Sequence, residues 1–248
     1  MNIKPPLHII MHVPKTGGAS IADGMKKTLG SDRVLRCDWF DQLLYHSKTK
    51  GLSNYDVIIC HISRRELYYL ADDFDLQIST FLREPVARVF SNYCFWRQYT
   101  PNVVLQTDKG QLPLVDLQLE WKEDLERILK RSNDIWKFRE LVNVSTWQFS
   151  TSLYERAGRG STQALIEAKR LLEEMIFIGF QDNLDIGYKS LVSKIDQHAT
   201  VAPLEKYNRT KQKDDLVLDH EAHALITKHN TLDIELYNWA HESFPQSS

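Results

Sequence analysis

Short apolar runs alternate with stretches in which apolar residues recur every three or four positions. Apolar runs of about four to eight residues between turn signals predict buried strands, whereas the longer periodic stretches predict amphipathic helices. Strands are predicted at 7–13, 33–36, 56–61, 77–82 and 176–180. Helices are predicted at 18–29, 39–48, 64–71, 85–98, 161–175, 184–197, 216–229 and 231–243. Because strands and helices alternate, the pattern predicts an α/β fold with a central parallel sheet flanked by helices.

The middle of the chain breaks this alternation. Residues 100–113 are rich in turn-forming and polar residues and predict a loop, residues 114–140 show helical patterns, and a further loop is predicted at 200–213. A length of 248 residues allows one α/β domain with insertions or two small domains. We expect a single domain over residues 1–248, in which about 100–160 form a helical and loop insertion.

The first predicted strand leads directly into a loop with the composition of a phosphate-binding turn. The loop consists of Lys15, Thr16, Gly17, Gly18, Ala19 and Ser20. Glycine lets the backbone approach an anion, and the dipole of the following helix favours negative charge at its N-terminus. In the nucleoside triphosphate loop the lysine follows the glycines, but here Lys15 precedes them. The pattern therefore favours another phosphate-bearing ligand, with an ordinary strand-to-helix turn as the alternative.

The predicted strand at 77–82 is also followed by a loop and helix of the phosphate-binding kind. Arg83 stands at its carboxyl end, Pro85 suits the first turn of a helix, and Ser91 lies about two turns further on. Ligands of open α/β sheets bind at the carboxyl ends of the strands, so both motifs face one edge. Because arginine is suited to bidentate contact with phosphate, we expect a second phosphate site at Arg83. The alternative is an ion pair between Arg83 and Glu84 on the surface.

The two motifs together resemble those of a known enzyme family. P-K-T-G-G-A-S at 14–20 and R-E-P-V-A-R-V-F-S-N-Y at 83–93 are similar to the motifs of sulfotransferases that use 3′-phosphoadenosine-5′-phosphosulfate (PAPS). The strongest likeness is to the branch with heparan sulfate 2-O-sulfotransferases and related carbohydrate sulfotransferases. It covers residues 7–98 and, more weakly, 176–244. The resemblance implies a P-loop-like fold in which the first motif binds the 5′-phosphosulfate, and Arg83 and Ser91 bind the 3′-phosphate.

A later segment shares a weaker likeness to the same family. Lys206 to Lys211 resembles the loop that folds over the nucleotide in these enzymes. The resemblance implies that further donor contacts come from Asn208, Arg209, Thr210 and Lys211. The alternative interpretation of this segment is a polar surface loop.

The third predicted strand, at 56–61, ends in the candidate catalytic base. His61 would lie at the same sheet edge as Lys15 and Arg83, and histidine can accept a proton near neutral pH. The segment resembles the G-H-V-S element of the 2-O-sulfotransferases, in which the histidine is the base, although Cys60 replaces the glycine here. A buried histidine bonded to the backbone is the alternative, and Glu66 is a second candidate base. Lys15 would stabilise charge on the leaving phosphate.

Composition and spacing argue against several other classes of function. A formal net charge of −2 does not suggest a nucleic-acid binder. His8 and His12 are too far apart on one strand to share a metal, and His220 and His223 lack the i, i+4 spacing of a helical zinc site. Three widely spaced cysteines fit a reducing compartment. The apolar segment near the N-terminus is too short to span a membrane, so we expect a soluble, bacterial, cytoplasmic enzyme.

The resemblance implies in-line transfer of a sulfuryl group from PAPS to an acceptor hydroxyl of a carbohydrate. The product would be 3′-phosphoadenosine-5′-phosphate (PAP), and no metal is required because Lys and Arg can neutralise the phosphates. Insertions after a nucleotide-binding core commonly build acceptor sites, so we expect the acceptor near 100–160. An anionic acceptor is expected if Arg64, Arg65 and Arg97 face the cleft. The alternatives are a tyrosine or phenol acceptor, an ATP-dependent phosphotransferase on a related fold, and a non-catalytic nucleotide-binding module.

Overall fold

The central sheet consists of parallel strands, as the alternating pattern predicts. The computed structural model describes residues 4–107, 110–132, 135–151, 161–205 and 216–245. Its strands are β1 Pro6–His12, β2 Val34–Cys37, β3 Val57–Cys60, β4 Asp75–Leu82, β5 Val104–Thr107, β6 Gly110–Pro113 and β7 Phe177–Phe180. The central sheet has the order β2-β3-β1-β4-β7, and each neighbouring pair is parallel. The α/β fold with a central parallel sheet is therefore confirmed.

Helices cover both faces of this sheet. The described helices are α1 Gly18–Leu29, α2 Phe40–Thr49, α3 Arg64–Ala71, α4 Pro85–Tyr99, α5 Trp121–Lys130, α6 Val144–Phe149, α7 Thr162–Glu174, α8 Leu184–Ile195, α9 His220–His229 and α10 Thr231–Ser243. Ile9 of β1 packs with side chains of α2, α3, α7 and α10, whereas Ile10 packs with those of α1 and α8. Successive side chains of a strand point to opposite faces, so a strand buried on both sides is apolar almost throughout.

Two stretches of the middle section differ from the sequence prediction. The predicted loop at 100–113 contains an antiparallel pair, β5 and β6, in which Leu105 lies opposite Leu112. Only part of 114–140 is helical, namely α5 and a 3₁₀ turn at Trp136–Leu141. Residues 114–120 instead form a turn in which Asp116 accepts a hydrogen bond from the Gln118 N–H at 3.0 Å. Short polar side chains that bond to the nearby backbone compete with helix formation, which explains the error.

The end of the chain shows a smaller correction. The predicted helix at 216–229 begins at His220, because the Asp219 side chain accepts a hydrogen bond from the Ala222 N–H at 3.0 Å and caps α9. Residues 216–218 precede this cap and are not helical, and the Asp219 N–H donates to the Val217 carbonyl at 2.9 Å. Aspartate is favoured at this position because its oxygen satisfies an N–H that has no partner within the helix.

Part of the predicted insertion packs on α4 in a second apolar cluster. Leu114, Ile128 and Phe138 are buried against Tyr93 and Val89. The Tyr93 hydroxyl lies 2.9 Å from the Trp121 carbonyl oxygen and 3.0 Å from an Asp124 carboxylate oxygen. The start of α5 is thus anchored to α4. This packing brings the insertion to the carboxyl edge of the sheet, where β1, β3 and β4 end.

Candidate active site

The loop between β1 and α1 leaves the N-terminus of a twelve-residue helix facing a cleft. Lys15 and Gly17 have φ angles of +71° and +93°, and the Thr16 hydroxyl donates to the Val13 carbonyl at 2.9 Å. Among the described residues, no side chain caps α1, and its first turn contains no acidic residue. The first N–H groups of a helix lack partners within it, so this terminus favours an anion.

The two glycines of this loop have different structural roles. Gly17 needs its positive φ, which L side chains rarely adopt. Gly18 is required by close packing, because a Cβ atom there would lie 2.1 Å from Nε2 of His12. The imidazole of His12 therefore packs directly against the first residue of α1. Phosphate approach alone does not account for the second glycine.

Arg83 joins the two sequence motifs physically. Its Nη1 donates to the Lys15 carbonyl at 3.1 Å, and its Nε is buried without a hydrogen-bond partner among the described residues. Burial lowers the pKa of Arg83, while Asp182 and Glu84 raise it. The carboxylate of Glu84 accepts the N–H groups of Val86 and Ala87 at 2.8 and 2.7 Å and so caps α4.

His61 follows β3 and reaches towards the end of β1. Its Nδ1 lies 2.8 Å from the His12 carbonyl oxygen. A carbonyl accepts only, so Nδ1 carries the proton and Nε2 has the free lone pair of the neutral ring. Burial lowers the pKa of His61 below its ordinary value, although the bond to His12 raises it. The ring is therefore neutral near pH 7, which is the state that a base requires.

The residues around His61 bear on two points of the sequence analysis. Glu66, the second candidate base, accepts both the N–H and the hydroxyl of Ser63 at 2.7 Å, so its carboxylate holds the start of α3. Cys60, where the family pattern has glycine, is buried beside Cys37 of the neighbouring strand. A hydrogen bond between these thiols lowers the pKa of Cys37 and raises that of Cys60. The larger side chain is thus accommodated on one face of the sheet, in the apolar cluster that also contains Leu43 and Leu67.

A cleft of about 1520 Å³ brings most of the predicted site residues together. Ligand pockets are typically about 300–1,000 Å³, so this cleft has room for more than one small ligand. Its lining includes Lys15, Gly17, Gly18, Ala19, Ser20, His61, Arg83 and Ser91. Thr16 is buried, and its hydroxyl is used within the loop. The predicted contacts Asn208, Arg209, Thr210 and Lys211 lie outside the described residues.

The three arginines proposed from sequence to attract an anionic acceptor are not among the residues that line the cleft. Arg64 donates to the Glu167 carbonyl at 2.8 Å and pairs with Glu174 at 3.5 Å. Arg97 donates to the hydroxyl of Tyr93 at 3.1 Å, and Arg65 is exposed. The condition for an anionic acceptor, that these three side chains face the cleft, is therefore not met.

Sequence reasoning missed most of the remaining lining of the cleft, and this part is called the distal wall below. It is formed by Arg36, Asp38, Trp39, Phe95, Trp96, Lys137, Glu140, Trp147 and Gln148. Both of its cations are paired, Arg36 with Asp38 at 3.4 Å and Lys137 with Glu140. The Lys137 ammonium lies 5.5 Å from the Trp39 ring and 5.8 Å from the Trp96 ring.

A buried arginine fixes part of this wall. Arg88 of α4 is 1% exposed and donates to the Glu140 carbonyl at 2.9 Å. Burial lowers its pKa to about 10, so it remains charged near neutral pH. The bond links α4 to the turn with Lys137 and Glu140. The position of Arg88 between Arg83 and Ser91 in the sequence gave no sign of this role.

Two kinds of feature are absent from the residues that the structure describes. These residues contain no group of three or more His, Cys, Asp or Glu side chains placed to hold a metal ion. None of the helices that the structure describes is long and apolar enough to cross a membrane.

Among known proteins, the chain is similar to solved structures. No protein-family model and no curated protein matched the chain. The crystal structure of a sulfotransferase from Alicyclobacillus acidocaldarius is similar over 97% of both chains, with a TM-score of 0.53 and 13% identity. The mouse sulfotransferase SULT7A1 complexed with PAP covers 96% of this chain and 90% of its own, with a TM-score of 0.48 and 12% identity. At such low identity, the match to the bacterial structure shows that this chain shares its fold.

Proposed function

We propose that this protein is a PAPS-dependent sulfotransferase that transfers a sulfuryl group to an acceptor hydroxyl. The observation that carries the proposal is the hydrogen bond from Arg83 to the Lys15 carbonyl, which joins two separate phosphate-binding motifs at one wall of a cleft. PAPS has phosphate at both its 3′ and 5′ positions, so a bipartite anion site matches it. His61 lies on the same cleft with a free Nε2 lone pair.

The residues of the donor side fit such a ligand. The N-terminus of α1 has no capping side chain among the described residues, and the Arg83 Nε is buried without a partner there. Both leave donors available for phosphate oxygens. In this proposal Lys15, Ala19 and Ser20, with the backbone of Thr16, Gly17 and Gly18, hold the 5′ end. Arg83 and Ser91 hold the 3′-phosphate, and the loop at 208–211 contributes as the family resemblance implies.

The reaction requires three events that these residues can support. The acceptor hydroxyl gives its proton to Nε2 of His61, and its oxygen forms a bond to sulfur. The bond between sulfur and the 5′-phosphate oxygen breaks, and the negative charge leaves on PAP. Lys15 stabilises that charge, which is the positioning and electrostatic role that transfer reactions of this type need.

We place the acceptor at the distal wall and propose that it is a carbohydrate. Two tryptophans there that are not fully buried, Trp39 and Trp147, offer flat apolar faces, and the pair formed by Arg36 and Asp38 offers hydrogen-bonding groups. Because both cations of this wall are paired with carboxylates, an uncharged sugar suits it better than a polyanion. Several of these residues belong to the section at 100–160, so we also propose that this insertion and the sheet form one domain.

Binding of the product tests the donor site first. We expect calorimetry to show tight binding of PAP and much weaker binding of adenosine-5′-phosphate, which lacks the 3′-phosphate. Arg83→Ala should weaken PAP binding at least tenfold and remove this preference. Arg65→Ala is the matched control, because it removes the same charge from an exposed position outside the cleft. Equal binding of both nucleotides by the parent protein would reject the bipartite site.

Transfer of labelled sulfate then tests the reaction and the acceptor. The parent protein is incubated with labelled PAPS and a panel of neutral glycans, anionic glycans, phenols and tyrosine peptides. We expect transfer to neutral glycans, which His61→Ala should reduce at least a hundredfold with PAP binding retained. Preferred labelling of phenols or tyrosine peptides would reject the carbohydrate acceptor, and tight binding of ATP instead of PAPS would indicate a phosphotransferase.

A further inference from the structure

Gln148 is a buried polar residue on the distal wall that the proposed reaction does not use directly. It belongs to α6, is 3% exposed and lines the cleft. Its Nε2 lies 3.2 Å from the carbonyl oxygen of His12 and 3.0 Å from that of Ile62. A side-chain amide nitrogen has two protons to donate, so both bonds can form together.

These two carbonyl groups lie on either side of His61. Ile62 directly follows His61, and His12 ends the neighbouring strand β1. The His12 oxygen also accepts the Nδ1 proton of His61 at 2.8 Å. A carbonyl oxygen has two lone pairs, so the bonds from Gln148 and His61 use both. One amide therefore connects the backbone after His61 to the acceptor group that holds its ring.

The helix that carries Gln148 is itself held by a buried network. The Asp233 carboxylate of α10 accepts the N–H groups of Ser145 and Thr146 at 3.1 and 2.8 Å, and the Thr146 hydroxyl at 2.8 Å. Asp233 is 1% exposed. A helix of six residues is too short to be stable alone, so this contact fixes its position and that of Gln148.

We propose that Gln148 is a positioning residue that holds His61 in the tautomer protonated at Nδ1. Without the amide, the carbonyl groups of His12 and Ile62 lose their shared donor, and the ring of His61 is free to turn or to move its proton to Nε2. The second tautomer presents an N–H to the cleft and cannot accept a proton from the acceptor there. The consequence for turnover rests on the proposed function, whereas the tautomer itself does not.

Other groups around His61 do not provide the same constraint. The ring of His12 lies 4.4 Å away between centroids and that of Trp39 6.1 Å away, at interplanar angles of 30° and 38°. Glu140 and Asp38 raise the pKa of His61, and Arg36 lowers it. Burial holds the pKa of His12 well below its ordinary value, so that ring stays neutral. These groups change the pKa of His61. Gln148 instead donates to the His12 carbonyl oxygen, which accepts the Nδ1 proton of His61.

The direct test compares Gln148→Met with the parent protein by nitrogen-15 NMR of labelled histidines at pH 7.5. Methionine has a similar length and no donor. His61→Gln identifies the His61 signals. We expect the parent His61 to be protonated at Nδ1 and the variant to show a mixture of tautomers. Gln163→Met is the matched control, because Gln163 is exposed and bonds to Glu167 outside the cleft. An unchanged His61 tautomer in Gln148→Met would overturn the proposal.

Turnover provides a second measurement. For Gln148→Met we expect kcat to fall at least tenfold while the Kd for PAP changes less than twofold. Gln148→Glu keeps the shape of the side chain and serves if the methionine variant does not fold. Its protonated carboxyl can donate one bond, whereas its carboxylate repels both carbonyl groups. Its activity relative to the parent should therefore fall as pH rises, and a constant ratio would contradict the positioning role. Because the NMR measurement needs no acceptor, failure of sulfate transfer would refute the proposed function separately.

Discussion

Gly18→Ala offers a sharp test of the arrangement around β1. Alanine in the first turn of a helix normally stabilises a protein relative to glycine by about 0.5–1 kcal/mol. Here, however, the new Cβ would lie 2.1 Å from Nε2 of His12 and 2.3 Å from its Cε1. Ordinary contact begins at about 3.4 Å, so the imidazole would have to move by roughly 1.3 Å, the difference between these distances. The structure therefore reverses the sign that helix propensity alone predicts.

The magnitude follows from where the ring of His12 can go. It lies 4.4 Å from the ring of His61, and its Nε2 is buried without a hydrogen-bond partner among the described residues. Forced overpacking of a close-packed site costs about 1–3 kcal/mol. We expect Gly18→Ala to lower the free energy of unfolding by that amount. Turnover should fall as well, because a displaced His12 also displaces His61.

A double-mutant cycle in urea identifies the cause. His12→Ala removes the ring and destabilises the protein by leaving a cavity, but the double variant no longer contains the clash. Its total loss should be smaller than the sum of the single losses by at least about 1 kcal/mol. Gly24→Ala is the comparison in the same helix, since its Cβ would meet Leu204 and Tyr188 and not His12, so its loss should add to that of His12→Ala. Additive losses, or a Gly18→Ala protein as stable as the parent, would refute the reasoning.

Four further predictions concern charge and capping. Because burial lowers the pKa of His12, the unfolded chain binds a proton below about pH 6.5 that the folded protein does not bind. Below that pH the free energy of unfolding should therefore fall by up to about 1.4 kcal/mol per pH unit. Urea titrations of His12→Gln should show a smaller slope. The pKa of His61 is lowered too, so kcat should be flat near pH 7 and decline only below about 6.5; a decline that begins above pH 7 would reject His61 as the base. Lys15→Ala should lower the single-turnover rate of sulfate transfer at least tenfold, and a parental rate would remove its role at the leaving group. Asp233→Ala should destabilise the protein by about 2–4 kcal/mol in urea, because two buried N–H groups of α6 lose their acceptor; a loss below about 0.5 kcal/mol would show that α6 does not depend on it.

The elements that could be predicted from sequence are those whose signal is local. The segments around Lys15 and Arg83 each contain an apolar run followed by the glycine or proline that marks a turn. The structure places the strand, loop and helix of each segment as predicted. Their meeting at one sheet edge follows from the parallel topology. The same rule put His61 beside them, since β3 neighbours β1. For these parts a short window of sequence contains enough information.

The distal wall lacked such a signal for a physical reason. The six residues of α6 make a helix only because Asp233, far along the chain, caps it. Local propensity cannot show a contact of that kind. Lys137 and Glu140 lie in a 3₁₀ turn held by the buried Arg88. In the sequence, Arg88 is one polar position among others on a predicted helix. Its burial depends on the residues from other parts of the chain that pack against that helix.

The hypothesis that the three arginines face the cleft fails for a related reason. Arg64 immediately follows the element with His61, so proximity along the chain suggested proximity to the cleft. The first turn of α3 instead directs Arg64 towards α7, where it bonds to the Glu167 carbonyl in the middle of that helix and pairs with Glu174 at its end. Successive residues of a helix point about 100° apart, so nearness in sequence to a site residue does not fix the direction of a side chain.

His12 connects features that the sequence presented separately. As a lone histidine at the end of an apolar strand, it offered no chemistry by itself. In the structure its ring requires glycine at position 18, and its carbonyl oxygen accepts bonds from both His61 and Gln148. A displacement of the loop between β1 and α1 is therefore transmitted to His61 through His12, and the loop need not contact His61 directly. Substitutions at position 18 and at position 148 should consequently change the same His61 signals, although these positions belong to separate helices, α1 and α6.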